Sequence, residues 1–261
     1  MIFHILTLFP EIFEGYSRSS ILARAVEQKR VRLDLINIRD FARDKHKTCD
    51  DATYGGGAGM VLKPEPLAEA LESVPGVQEK SREDLREDAY GLNRIEGCTR
   101  VIYLTPSGRL WSQGIAQQLA EEQRVAIICG RYEGIDQRII DLFVTDEISV
   151  GDYILNGGEV AAMVVVDTVV RLIKGVIKDQ SLVEESFTDW LLEYPQYTRP
   201  AVFRGCSVPE VLLSGHHAEI ERWRLERSVE KTQRFRPDLT RDEADNNMNE
   251  NTGKRRRRWT R

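Results

Sequence analysis

The chain has 261 residues, enough for one large or two smaller domains with a sizeable core. Charged residues make up 30% and the formal charge is −5, so overall charge does not argue for a nucleic-acid partner, which would have to be met by local basic patches. No uncharged apolar stretch reaches the roughly 18 to 20 residues of a membrane span. Met1-Ile2-Phe3-His4 lacks the basic start of a signal peptide, and Cys49, Cys98, Cys129 and Cys206, scattered without a C-x-x-C pair, read as reduced thiols of a cytoplasmic protein.

Ile2 to Phe9 is an apolar strand candidate, Pro10-Glu11 starts a helix, and Ser19 or Ser20 caps a second helix running to about Lys29. Alternation from Val31 to Ile38 then gives β-α-β within the first forty residues. The loop from Arg39 to Met60 holds four glycines between Gly55 and Gly59, which form no stable helix or strand by themselves. They do not spell G-x-G-x-x-G, and there is no G-K-S/T pair for a P-loop. Pro64 to Ser73 suits a short helix closed by Pro75-Gly76, and the polar segment 76–98 reads as a surface insertion with no assigned function.

Val101 to Leu104 predicts a buried strand ending in Thr105-Pro106-Ser107-Gly108, and Ser112 to Glu122 a helix leading to the strand Val125 to Cys129. A continuous apolar run ending in glycine is the form of a parallel strand covered on both faces, and its carboxyl end is a favoured ligand position. Arg131, Tyr132, Glu133 and Asp136 crowd the next turn with more polar groups than turn geometry requires. Ile148 to Leu155 is a strand candidate interrupted at Gly151-Asp152. Gly157-Gly158 then opens fourteen apolar-rich residues, Val160 to Ile173, too long for an ordinary strand and read as a buried helix despite its valines. Gly130, Gly151 and Gly157-Gly158 are corners where a ligand could meet bare backbone.

Beyond Gly175 the composition turns acidic, as in a linker. Ser207-Val208-Pro209-Glu210 has the form of a capped helix start, and Gly215 stops that helix. His216 to Arg236 predicts a basic helix with Ile220, Trp223 and Leu225 inward, and Arg222, Arg224, Arg227 and Arg234 available either to phosphate or to solvent. His216 and His217 are adjacent and share no helix face for zinc, and no metal ligand is assigned.

C-G-R-Y-E-G-I-D, S-V-G-D-Y-I-L-N-G-G-E and L-L-E-Y-P-Q-Y-T-R-P, in this order and spacing, closely resemble the bacterial tRNA (guanine-37, N1) methyltransferases of the knotted SPOUT class, over Met1 to about Arg236. The resemblance implies an α/β fold, a mostly parallel sheet flanked by helices with a deep C-terminal trefoil knot, plus a small mainly helical C-terminal domain. Such a knot is a rare exception to the unknotted rule. The implied division is a cofactor-binding domain 1–175, a linker 176–186, a helical tRNA-binding domain 187–239 and a disordered, basic-ended tail 240–261.

The implied reaction moves a methyl group from S-adenosylmethionine to N1 of the guanine just 3′ of the anticodon. That nitrogen carries a proton at neutral pH, so a placed carboxylate is needed as general base. The family's base is an aspartate before Ser-Phe; here Glu185 stands there, with Asp189 and Glu184 as nearby alternatives. Arg171 matches the arginine that stabilises charge on guanine O6, its alternative being a cap on the buried helix. Glu133 matches a residue near the methionine moiety. Cofactor contacts carry over to Pro106, Gly108, Gly130, Ser149, Val150, Gly151, Asp152, Tyr153, Ile154, Leu155, Gly157 and Gly158, and tRNA contacts to Asp50, Tyr54, Gly55, Gly57, Gly59 and Arg199. Gln196 departs from the family's P-H-Y-T-R-P. The resemblance also implies an obligate homodimer, each site completed by the other subunit's C-terminal domain, and suggests assistance by magnesium. Two other readings compete: a dehydrogenase, weakened by the missing G-x-G-x-x-G, and a non-catalytic RNA-binding module built on the arginine-rich helix.

Overall fold

Five strand segments form a single parallel sheet covered on both faces, with successive side chains of each strand pointing to opposite faces. The computed structural model describes residues 1–81, 85–88, 90–177, 186–187 and 191–239. They fall into two compact units, Met1–Ile177 and Lys178–Arg261.

In the first unit, β1 (Ile2–Thr7) is followed by a 3-10 turn at Pro10–Ile12, α1 (Phe13–Ser17), α2 (Ser20–Glu27) and β2 (Arg32–Asn37). A short hairpin, β3 (Asp50–Ala52) and β4 (Met60–Leu62), precedes α3 (Pro64–Glu72). Another small hairpin, β5 (Arg86–Glu87) and β6 (Asn93–Arg94), precedes β7 (Arg100–Leu110) and α4 (Gln113–Leu119). Then come β8 (Arg124–Cys129), α5 (Gln137–Leu142), β9 (Asp146–Ser149) and α6 (Gly158–Val170).

The sheet order is β2-β1-β8-β7-β9, with every neighbouring pair parallel. Phe3, Ile5, Ile102, Leu104, Val125 and Ile127 pack on one face with Leu22, Ile115, Leu119 and Val165, Val166, Val169 and Val170 of α6. Leu6, Val101, Tyr103, Ala126 and Ile128 pack on the other with Leu67, Leu71, Ile139 and Phe143. Each such side chain fully buried contributes roughly 1.5–3 kcal/mol, so the two faces together outweigh the weak local preferences of any one element. Helix α6 illustrates this. Its valines are mediocre helix formers, but Ala161, Ala162, Val165, Val166, Val169 and Val170 fall on one buried stripe at i, i+4 spacing.

The structure refines the sequence-based expectations in several places, among them the strand candidate Ile148 to Leu155, of which only Ile148 and Ser149 lie in β9 while Val150 to Leu155 is loop. The glycine loop of 39–60 is the tip of the β3–β4 hairpin rather than a free loop. β7 does not stop at Leu104. Leu104 and Arg109 both face Ile148 of β9, so Thr105–Gly108 bulges out of a strand that then resumes. The segment 76–98 is anchored rather than merely superficial: Leu92 is buried, and Asp88 and Asn93 bind the buried Arg100. Ser207 lies in β11 (Cys206–Ser207), paired antiparallel with β10 (Val202–Phe203), and it is Pro209, without a side-chain cap, that precedes α7 (Glu210–Leu213).

In the second unit, α8 (His217–Phe235) buries Ser228 and Thr232. Thr232 Oγ1 donates to Ser228 O at 2.7 Å and accepts from Leu192 N–H at 2.8 Å. Ile220 and Trp223 are half-buried as expected, whereas Leu225 is exposed. Arg222 and Arg234 are exposed; Arg224 lies over the Tyr194 ring and Arg227 pairs with Glu230. The expected linker residues 178–185 and the tail 240–261 lie outside the described residues. No helix among the described residues is long and apolar enough to cross a membrane.

Candidate active site

The chain leaves β8, returns as β9 on the far side of β7, and so brings the carboxyl ends of β7, β8 and β9 together, the usual ligand position of a parallel sheet. A cavity of about 270 Å³ opens there. The β7 bulge (Thr105, Pro106), the loop after β8 (Gly130 to Gly134) and the loop from β9 into α6 (Val150 to Gly158) form its walls.

The walls are made of backbone because the segments touch. A Cβ at Gly158 would stand 2.7 Å from Cys129 Cα and 2.9 Å from Gly130 N, and Gly158 N–H donates to Gly130 O at 2.9 Å. A Cβ at Gly130 would press on the Tyr103 ring at 2.9 Å. Any side chain at either position would force the corners apart. Tyr132 holds a left-handed backbone (φ 58), uncommon for a non-glycine residue and of the kind that clusters at binding sites.

Polar groups fix this frame. Arg131 Nε donates to Glu159 Oε1 at 3.2 Å, its Nη2 lies 2.9 Å from Oε2, and its Nη1 donates to Asn156 O at 3.2 Å. Thr7 Oγ1, at the end of β1, donates to Glu159 Oε1 at 2.8 Å. The guanidinium lies over the Phe9 ring, 4.5 Å from its centroid. Burial, with a further push from Glu159, holds the Cys129 thiol well above its ordinary range, so it is no nucleophile at neutral pH. Burial, then Glu147, also raises the Tyr103 phenol, which stays a neutral hydrogen-bonding group.

Of the residues singled out in the sequence, Pro106, Gly130, Ser149, Val150, Gly151, Tyr153, Ile154, Leu155, Gly157 and Gly158 line the cavity, and so does Glu133. Gly108 and Asp152 do not. Gly108 lies where a Cβ would strike the backbone of Glu147 and Ile148, so its glycine serves the approach of β7 to β9, and Asp152 is exposed. Asp50, Tyr54, Gly55, Gly57 and Gly59 belong to the β3–β4 hairpin, whose tip carries a fully exposed Tyr54 and glycines at positive φ. This hairpin is tied to the cavity. Glu133 N–H donates to Met60 O at 3.0 Å, Leu62 N–H to Gly134 O at 3.0 Å, and a Cβ at Gly59 would meet the Glu133 side chain at 2.5 Å.

Arg171 is the C-cap of α6, thirteen residues beyond Gly158 and so about 20 Å along the helix from the cavity. Arg199 is exposed in the second unit. Glu184, Glu185 and Asp189 lie outside the described residues. The resemblance places the Thr105–Gly108 turn at a wall of the pocket, and Thr105 and Pro106 do line it; the sequence reading assigned no role to Tyr103, Tyr132, Gly134 or Asn156, all on the wall, nor to the Thr7–Glu159–Arg131 linkage. The crowding of polar residues after Gly130 was the available signal for Arg131 and Tyr132. Nothing in spacing announces a partner 28 residues away.

Residues 1–242 match the family model described as tRNA (Guanine-1)-methyltransferase TrmD. A tRNA (guanine-N(1)-)-methyltransferase of Treponema denticola is 54% identical, over 92% of this chain and 90% of that protein. Proteins of the same name are 53% identical in Caldanaerobacter subterraneus subsp. tengcongensis (92% and 91% covered) and 52% identical in Treponema pallidum (90% and 86% covered).

Proposed function

The chain belongs to the tRNA (guanine-1)-methyltransferase family, and on that footing we propose that it transfers a methyl group from S-adenosylmethionine to N1 of guanine 37 in tRNA. The glycine-built cavity at the carboxyl ends of β7, β8 and β9 carries this reading. A flat nucleoside is read closely when backbone N–H and C=O groups reach its edges, and the contacts of Gly130 and Gly158 leave no room for side chains to intervene. Pro106, Gly130, Ser149 to Gly151, Tyr153 to Leu155, Gly157 and Gly158 would hold the methyl donor, with Glu133 at the wall towards the β3–β4 hairpin. When bound, the donor supplies an activated methyl group on a sulfonium sulfur.

The chain's own residues then have two tasks. The first is alignment of the donor with the guanine, to which the β3–β4 hairpin (Asp50, Tyr54 and the glycines) and Arg199 contribute by holding the RNA. The second is removal of the N1 proton, assigned to Glu185 at the proposed linker 176–186, with Arg171 stabilising the charge that develops on O6. The 20 Å between Arg171 and Gly158 along one chain supports a homodimer in which each cavity is completed by the partner subunit. Val160 and Val164, exposed and four residues apart on α6, supply an apolar stripe for such an interface. The same reading takes the loops around the cavity as the trefoil knot, 187–239 as the tRNA-binding domain, and the cytoplasm, where tRNA is found, as the site of action. Magnesium would find one carboxylate on the wall, Glu133, and no cluster of three acidic, histidine or cysteine ligands among the described residues. No step is assigned to it.

The test is transfer of labelled methyl from S-adenosylmethionine to tRNA carrying guanine at position 37 and to the same tRNA with adenine there. Label in the first alone is the expected result. RNA binding without transfer would instead favour the non-catalytic module.

A further inference from the structure

Arg131 and Glu133 are the full charges on the cavity wall among the described residues. Glu133 suits a cationic ligand; Arg131 does not. Its charge is met from behind by Glu159, a carboxylate only 1% exposed that does not line the cavity. Arg131 Nε donates to Oε1 at 3.2 Å and Nη2 makes an ion pair with Oε2 at 2.9 Å. Thr7 fixes Oε1 from β1, and the first turn of α6 favours a negative charge at this position. A carboxylate this deeply buried is costly and is tolerated because it is paired.

We propose that Glu159 is a specificity-determining residue of the methyl-donor cavity: by cancelling the charge of Arg131 it lets the cavity accept a sulfonium, and so sets the preference for the charged donor over its neutral thioether product. The inference rests on the donor assignment made above. S-adenosylmethionine and S-adenosylhomocysteine share the nucleoside and the amino-acid portion and differ by the methyl group and the charge on sulfur. A mispacked wall would weaken both ligands alike. An uncompensated guanidinium, by contrast, repels only the sulfonium, and across a partly solvated cavity this amounts to roughly a three- to thirtyfold change in the ratio of their affinities.

The experiment is calorimetric titration of both ligands into wild type, Glu159→Gln and Arg131→Gln/Glu159→Gln, with thermal unfolding as the check on folding. Glu159→Gln keeps an oxygen for Thr7 and removes the charge. It is expected to shift the affinity ratio roughly three- to thirtyfold towards the thioether, and the double variant to return it towards the wild-type value. If Glu159→Gln does not fold, Glu159→Asp, which withdraws the carboxylate by one methylene, decides the matter by a smaller shift in the same direction. An unchanged ratio in a folded variant overturns the proposal, leaving Glu159 a purely structural partner of Arg131. Failure of wild type to bind either ligand would instead strike at the donor assignment itself.

Discussion

At the scale of single residues, the proposed chemistry divides between groups that act through a side chain and groups that act by having none. Glu185 is of the first kind. Replacing it with Gln removes the proton acceptor and keeps the shape, so Glu185→Gln is expected to leave S-adenosylmethionine affinity within about twofold while lowering single-turnover methyl transfer at least a hundredfold. Retained transfer would move the base to Asp189 or Glu184. Gly151 is of the second kind. It lines the cavity with φ +152, a conformation costing a β-branched residue about 1–3 kcal/mol and reached only by distorting the loop. Gly151→Val should therefore weaken donor binding roughly tenfold or more in calorimetry, and unaltered affinity would remove Gly151 from the binding wall. The two variants separate the functions cleanly, one losing turnover and the other affinity.

At the scale of elements, the buried arginine at the start of β7 accounts for how the sheet end opposite the cavity is closed. Arg100, its side chain 2% exposed, faces Asp146 of β9 at 3.3 Å, Glu122 at 3.2 Å and Asp88 at 3.5 Å, and donates to Asn93 O at 2.7 Å. Burial outweighs these contacts at Asp146 and pushes its carboxyl above the usual range, so the cluster holds charges in a place that disfavours them. Removing one partner leaves the others uncompensated. Arg100→Met is expected to cost about 3–5 kcal/mol in urea unfolding and to open the β5–β6 hairpin to protease; a loss below about 1 kcal/mol would mean the acidic groups relax into solvent. This cluster also marks the limit of what the sequence disclosed. The core strands and α6 were legible because burial on both faces demands unbroken apolar runs, whose length separates a strand such as Val125–Cys129 from a helix such as Val160–Ile173. The anchoring of the surface segment 76–98 was hidden because Asp88 and Asn93 look like any solvated polar pair until Arg100 is placed beside them. The β7 bulge was equally hidden, since Leu104 and Arg109 acquire a shared partner, Ile148, only when β9 pairs alongside. Pairings between distant residues leave no local period to read.

At the scale of the whole molecule, the arrangement of the two proposed functions makes a demand on assembly. The glycine corners of the cavity lie in the first unit, while the base assigned to Glu185 follows Ile177 in the chain. If each site is completed by the partner subunit, a chain lacking a usable cavity and a chain lacking the base can repair one another. Gly158→Trp supplies the first, because any side chain there meets Cys129 Cα and Gly130 N, and Glu185→Gln the second. In a mixed dimer the two lesions fall together in one site and leave the other intact. With subunits exchanged at random, half the dimers are mixed and half their sites are whole, so the mixture should recover about a quarter of wild-type transfer per site from two nearly inactive proteins. Sites built within single chains would give no recovery, since every site would carry one lesion or the other. The measurement therefore reads assembly and active-site composition at once, with native mass spectrometry of the mixture establishing that mixed dimers have formed.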